Sequence, residues 1–397
     1  MAAKKSAMKR WEKEVEKKMP HLTKPQAIVL AMWSFGIVVT KVCGLDTVSF
    51  FLARLLGRKH NTVRCRLREW YEDAKDKKGD QRSEIDVTSC FGPLVKWILS
   101  LWAKDEKRLV FVLDATTLGS RFVVLAISIV CNGCAIPVAW KVLTASQKGA
   151  WKPHWIELLA RLQGCVPCDW FVVVMADRGL YARWLFKAIV KNQWHPFLRI
   201  NAGGQYRIKG RKKFRALSGL ITKVGRTWQG EVICFKNLPL ECTLLARWDE
   251  AHEEPWLIVT DLKPEQADAT WYAMRAWIEC GFKDLKRGGW QWQNTRMTDP
   301  KRAERLWLAM AVATLWTVAV GSEDEITGQV SSFEHPPDIS TSETSSPKPK
   351  NKRLLSCLRK GMLIILAMAI NGRAVPLGQL HPQPWPSVAE ILKQEDG

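Results

Sequence analysis

Acidic residues are what this chain is short of: 39 Asp and Glu stand against 60 Lys and Arg, a formal net charge of +21. That imbalance implies a polyanionic partner, nucleic acid before any other, although ribosomal and membrane-surface proteins can be as basic. Long apolar runs are also missing. The three longest, Ala27–Val39, Leu306–Val320 and Met362–Ile370, fall short of the roughly 18–20 residues a membrane span needs, and read as buried helices. The first twenty residues, MAAKKSAMKRWEKEVEKKMP, have no apolar stretch of the kind a secretory leader carries. With 11 cysteines, an odd number, this suggests reduced thiols in a cytoplasmic protein and no membrane partner. No repeat at a fixed period is visible, which excludes a solenoid.

What is present is size, tryptophan and a change of texture along the chain. At 397 residues there is room for two or three domains. The 21 tryptophans are many for this length; most belong in cores, and some can stack on bases. Residues 1–105 read as helical. A frayed basic helix comes first, then a long apolar helix capped at Thr23. Two shorter helices follow, capped at Asp46 and Asn61 and separated by Gly57. The short pair has the form of a helix-turn-helix, with Arg64, Arg66 and Arg68 on the second helix set to meet DNA; the alternative is a small bundle with solvated arginines.

At Arg108 strands begin. RLVFVLDATTLG, RFVVLAISIVCNG and CAIPVAWKVLT are three, with Asn132-Gly133 as a hairpin turn. A helix over Trp151–Leu162, the wholly apolar strand WFVVVMADRG, a helix over Leu180–Asn192 and the strand HPFLRIN complete residues 106–202. The order β-β-β-α-β-α-β predicts an α/β, RNase H-like core: a mixed sheet flanked by helices. Residues 203–262 are rich in Gly, Arg and Lys and then alternate as short strands, a β-rich insertion. Residues 263–320 resume the core. Residues 321–350, a Ser/Thr/Pro/Glu tract, read as a disordered linker, and 351–397 as a C-terminal helix and tail.

The chemistry gathers on acids. Asp114 lies within or at the end of the first strand and Asp177 ends the fourth. Adjacent parallel strands would bring these carboxylates out side by side. Each alone could be an ordinary turn or strand-end acid. Farther on, WYAMRAWIECGFKDLK, read at 3.6 residues per turn, puts Tyr272, Arg275, Glu279, Lys283 and Lys286 on one helical face. Trp271, Met274, Ile278, Phe282 and Leu285 line another. One acid among cations and a phenol suits a metal and a phosphate held together; the alternative is a solvated face.

The spacing Tyr272-x2-Arg275-x3-Glu279-x6-Lys286, with LDATTLG and ADRGLYARWLF, resembles the Y-R-E-K group of bacterial insertion-sequence transposases, the DDE group called insertion-sequence family four. The resemblance runs from about Arg108 to Val320. It implies that Asp114, Asp177 and Glu279 are catalytic and hold two Mg²⁺ (or Mn²⁺) ions, and that Tyr272, Arg275 and Lys286 contact DNA phosphates. Arg178 assists beside Asp177, and Trp256 stacks on an extruded base. It further implies a nucleoid-associated enzyme that binds terminal inverted repeats and target DNA, works as a homodimer in a synaptic complex, and cuts and joins strands with or without a hairpin intermediate. The rivals are another RNase H-like nuclease, or an inactive relative acting only as a DNA-binding regulator. One feature departs from the family: Cys131-x2-Cys134 and Cys165-x2-Cys168 are spaced for a structural zinc, though Cys131 also suits a strand wanting a small apolar residue.

Overall fold

The computed structural model describes residues 2–78, 82–147, 151–331 and 355–386. Five helices come first: α1 (Ala2–Lys18), α2 (Lys24–Thr40), α3 (Leu45–Leu56), α4 (His60–Tyr71) and α5 (Thr88–Leu101). Then come strands β1 (Arg108–Leu118), β2 (Phe122–Cys131) and β3 (Cys134–Thr144), α6 (Lys152–Leu162), β4 (Phe171–Ala176), α7 (Arg183–Lys191) and β5 (His195–Arg199). Short strands follow: β6 (Gln205–Ile208), β7 (Arg215–Ala216), β8 (Thr227–Cys234), β9 (Leu240–Arg247) and β10 (Trp256–Thr260). Helices α8 (Trp277–Lys283), α9 (Pro300–Ser331) and α10 (Cys357–Ile370) complete the described chain. The fold is mixed α/β, and the run from β1 to β5 has the expected order.

Two compact units share these elements. One comprises Met1–Glu106, Ala115–Trp151 and Glu279–Gln383; the other Lys107–Asp114, Lys152–Ile278 and Pro384–Gly397. The helical N-terminal region therefore belongs with residues far along the chain.

In the first unit, α2 is built as expected. The Thr23 side chain accepts from the Gln26 N–H while the Gln26 side chain accepts from that of Thr23, and Pro25 fits the first turn. Its middle is buried nearly all round, so it is an interior helix. The next two caps differ from expectation. Gly44 caps α3, leaving Asp46 in its first turn, and Lys59 caps α4 one residue before His60. His60 hydrogen-bonds Ser49 at 2.9 Å, which draws it into the helix and leaves Asn61 inside. Trp11 of α1 stacks on Trp316 of α9 at 4.1 Å. The buried Arg305 of α9 donates to the Tyr71 carbonyl, Asp73 and Glu84 at 2.8–2.9 Å. Helix α9 is long and apolar enough to cross a membrane, but 94% of its most apolar window is buried within the protein. It also runs on to Ser331, so residues 321–331, assigned above to the linker, are helical. The rest of that tract, 332–350, lies outside the described residues. Helices α9 and α10 cross at two glycines. A Cβ on Gly321 would stand 1.9 Å from the Cys357 carbonyl oxygen, and one on Gly361 1.8 Å from that of Thr317. The β2–β3 hairpin turns at Asn132 (φ 49°) and Gly133 (φ 73°), both left-handed as a two-residue turn requires.

In the second unit, β1 pairs in parallel with β4, and β4 in parallel with β5. Antiparallel strands carry the sheet on from β5 through β10, β9 and β8 to β6 and β7. The insertion is thus a continuation of the sheet. Residues 172–176 of β4 are all buried, as a strand covered on both faces must be.

Candidate active site

Leu113 of β1 pairs with Ala176 of β4, the last pair in their register. The residue after each member of that pair is an aspartate: Asp114 lies inside β1, which runs on to Leu118, and Asp177 directly follows the end of β4, so the two stand side by side where the pairing of the strands stops. Their carboxylates meet at one cation: Arg275 Nη2 lies 2.8 Å from Asp114 Oδ2 and 3.4 Å from Asp177 Oδ2. Arg275 is 13% exposed, against 20% for Asp114 and 37% for Asp177, so water screens these pairs less than it would at the surface. Two hard carboxylates facing one positive charge are a donor set that suits a divalent ion, and the guanidinium marks where a cation is held. Among the described residues, no group of three or more His, Cys, Asp or Glu side chains is placed to hold a metal. That leaves the two CxxC pairs without support as a zinc site: Cys131 and Cys134 are buried at the hairpin, while Cys165 and Cys168 lie nearer the surface of the other unit.

The segment expected to be one amphipathic helix is not one. Residues 269–276 form a 3₁₀ helix, α8 is only seven residues long, and residues 284–288 form a π turn with Lys286 off helical geometry (φ −94°, ψ −121°). Three-fold winding advances each residue further round the axis than 3.6-fold winding does, so the even step on which that single face was read does not hold along the segment. The boundary between the two units falls after Ile278, just before Glu279.

Tyr272 is correspondingly buried, 5% exposed, with its hydroxyl 3.5 Å from the Ala176 carbonyl oxygen. Burial raises its phenol above the usual tyrosine range. It packs beneath the end of β4 rather than on an open polar face. Glu279 is exposed in the first turn of α8. Gly281 lets this helix lie on the hairpin, since a Cβ there would come within 2.8 Å of Ala135 Cβ. Lys286 Nζ donates to Thr116 Oγ1 at 2.7 Å and to the Thr117 carbonyl at 2.8 Å, and burial lowers its pKa. Those threonines follow Asp114 in LDATTLG. They were legible there as residues, but not as partners of a lysine 170 positions away.

Arg178 gives its backbone N–H to Asp177 and its guanidinium to Glu254, which also pairs with Arg199 at 3.6 Å. Glu254 lies in no motif of the sequence that marks it. Trp256 opens β10 half-buried; its ring lies 4.4 Å from that of His252 and 5.1 Å, edge-on, from that of Tyr272. In the first unit, Arg64 pairs with Asp46, and Arg68 with Glu72 at 3.2 Å. Arg66 is half-buried, and burial lowers its pKa. All three keep part of their surface in water.

Searched against curated proteins, the sequence finds no match. Among solved structures it is similar to a piggyBac transposase in a synaptic complex with hairpin DNA. That likeness has 10% identity and a TM-score of 0.40, over 94% of this chain and 79% of that one. Such a likeness says nothing about mechanism. The model of the transposase DDE domain matches residues 105–316. That match takes in both aspartates, Arg275, Glu279 and Lys286, and since it spans more than half of the sequence, the chain belongs to the transposase DDE domain family.

Proposed function

We propose that this protein is the transposase of a bacterial insertion sequence of family four, the Y-R-E-K group, built on an RNase H-like core and acting on nucleoid DNA. It binds the terminal inverted repeats as a homodimer in a synaptic complex, nicks them, and joins the freed 3′-hydroxyls to target DNA, with or without a hairpin intermediate. The observation that carries this is the convergence of Asp114 and Asp177 on Arg275 where the pairing of two adjacent parallel strands stops. Family membership implies divalent metal ions; Asp114, Asp177 and Glu279 would hold two Mg²⁺ or Mn²⁺. When bound, such ions supply Lewis-acid stabilisation of the attacking and leaving oxygens.

The rest is the work of side chains. Asp114 and Asp177 fix the negative pole of the site, and Arg275 sets the distance between them. When the carboxylates have another cation to face, Arg275 is released toward a DNA phosphate, where a guanidinium binds in two-pronged fashion. Lys286 is held by Thr116 and Thr117 as a second phosphate contact, and Arg178, Arg64, Arg66 and Arg68 add positive charge along the duplex. Tyr272 supports the end of β4 beside Asp177. Trp256 stacks on a base extruded next to the cut.

The test uses the full-length protein and end DNA taken from inverted repeats flanking its own gene. Asp114→Ala, Asp177→Ala and Glu279→Ala are each expected to lower metal-dependent cleavage by orders of magnitude while leaving end binding within a few-fold. Trp256→Ala is expected to spare the first nick and slow hairpin formation about ten- to a hundred-fold. Full cleavage by any acid variant sinks that acid's role. Binding without cleavage by the wild type sinks the enzyme reading in favour of a regulator.

A further inference from the structure

In the second unit, a cavity of about 450 Å³ lies between the loop after Asp177 and the turn joining β8 to β9. Tyr181, Arg183, Gln205, Phe235, Lys236 and Asn237 line it. Tyr181 and Arg183 stand in the ADRGLYARWLF stretch, but none of the six is one of the three acids or of the Y-R-E-K residues. Phe235 is the centre of the arrangement. Its ring rests on that of Tyr181, centroids 5.3 Å apart and planes 31° from parallel, and it remains half-exposed. Tyr181 is thus the backing and Phe235 the open face. Phe235 sits in the left-handed region, φ 65°, which an aromatic residue rarely adopts, and its N–H donates to the Gln205 carbonyl at 2.7 Å. Gly204 leaves room for the ring, since a Cβ there would press on Phe235 Cε1 at 3.1 Å. The backbone therefore spends conformational energy to keep an aromatic face at the surface.

The polar groups match that face. Arg183, the first residue of α7, has its Nε buried with no hydrogen-bond partner. A buried N–H without an acceptor is costly, so the protein around this guanidinium does not fully satisfy it. Lys236 adds a second positive charge, and Gln205 and Asn237 each carry an amide that can both donate and accept. A flat apolar platform, two cations and two amides together fit a planar heteroaromatic ring attached to a phosphate.

We infer that this cavity is a platform for one unpaired nucleotide of a DNA strand: its base stacks on Phe235, and Arg183 and Lys236 hold the phosphate beside it. The inference rests on the proposed action on DNA and adds a contact for single-stranded DNA, four residues beyond Asp177. Duplex DNA, whose bases are stacked on one another, cannot use it.

The experiment compares a fluorescent single-stranded oligonucleotide with the same strand annealed to its complement, using full-length protein at fixed salt. Phe235→Ala and Arg183→Gln are each expected to weaken single-strand binding about five- to a hundred-fold and leave duplex binding unchanged. Arg183→Gln should also lower the salt slope for the single strand by about 0.7. On the wild type, an oligonucleotide carrying 5-iododeoxyuridine should cross-link on irradiation to the peptide holding Phe235 or Tyr181. Cross-linking elsewhere overturns the platform even if Phe235→Ala proves unstable, as does wild-type single-strand affinity in a variant with an unchanged melting temperature. Asp114→Ala should bind and cross-link like the wild type, so a failure of the cleavage chemistry is told apart from a failure of the platform.

Discussion

Arg275 answers to two carboxylates at once, and that double duty makes it the most informative side chain to change. Replacing it with Gln keeps a donor near Asp114 and removes the charge that lets two acids lie together. Charge-assisted hydrogen bonds of this kind contribute about 1.5–3 kcal/mol. Arg275→Gln is therefore expected to melt several degrees below the wild type in the presence of a chelator, and to regain more than the wild type does when Mg²⁺ is added. Equal response of both proteins to Mg²⁺ would mean that the arginine and the ion do not share the carboxylates. The two aspartates were readable in the sequence because each directly follows a run of apolar strand residues. Their arginine was readable as a residue but was assigned to phosphate, because nothing in a spacing of three or four tells which neighbour a long side chain will take.

At the scale of elements, the strands and their order could be read because each is a short apolar run closed by turn residues, from LVFVLD to HPFLRIN. The stretch from Trp271 to Lys286 could not. Over eight residues a 3₁₀ helix and an α-helix carry nearly the same pattern of apolar positions, and the difference lies in what the backbone packs against. The π turn has a consequence that can be measured. Asp284 opens it largely buried, and burial alone raises its pKa from 3.8 to about 6. An acid whose folded pKa lies above its unfolded one favours the fold while neutral. Stability from this group is therefore fully present below about pH 4 and is lost as pH rises toward 6. The loss is at most on the order of 3 kcal/mol, less what residual exposure to water returns. Asp284→Asn, which keeps the shape and cannot ionise, is expected to melt above the wild type at pH 7.5 and level with it near pH 4. A constant difference at both values would assign the effect to packing.

For the molecule as a whole, charge and order part company. The excess of 21 positive charges pointed to nucleic acid from composition alone, because field and counterion release need no particular fold. Grouping in space crosses distance along the chain, since the helices of residues 1–105 share a compact unit with residues 279–383. Helix α2 is buried nearly all round, and Arg305 reaches Tyr71, Asp73 and Glu84 from the far end of the sequence. A fragment of residues 1–105 would expose that interior to water. It is expected to show no cooperative melting transition and to self-associate, where the full chain melts cooperatively; a sharp transition in the fragment would show that the helices fold unaided.

The glycine crossing of α9 with α10 bears on how the chain can be divided. Backbone lies on backbone at Gly321 and Gly361, so the fit is set by shape, and only one depth and angle of seating allows it. A helix seated that way does not depend on the peptide chain that leads to it. Residues 1–331 and a separate peptide of residues 355–386, mixed as two strangers, should therefore find each other and melt as one body. With Gly361→Leu in the peptide they should stay apart, and the protein becomes one whose assembly can be switched on by adding its own α10.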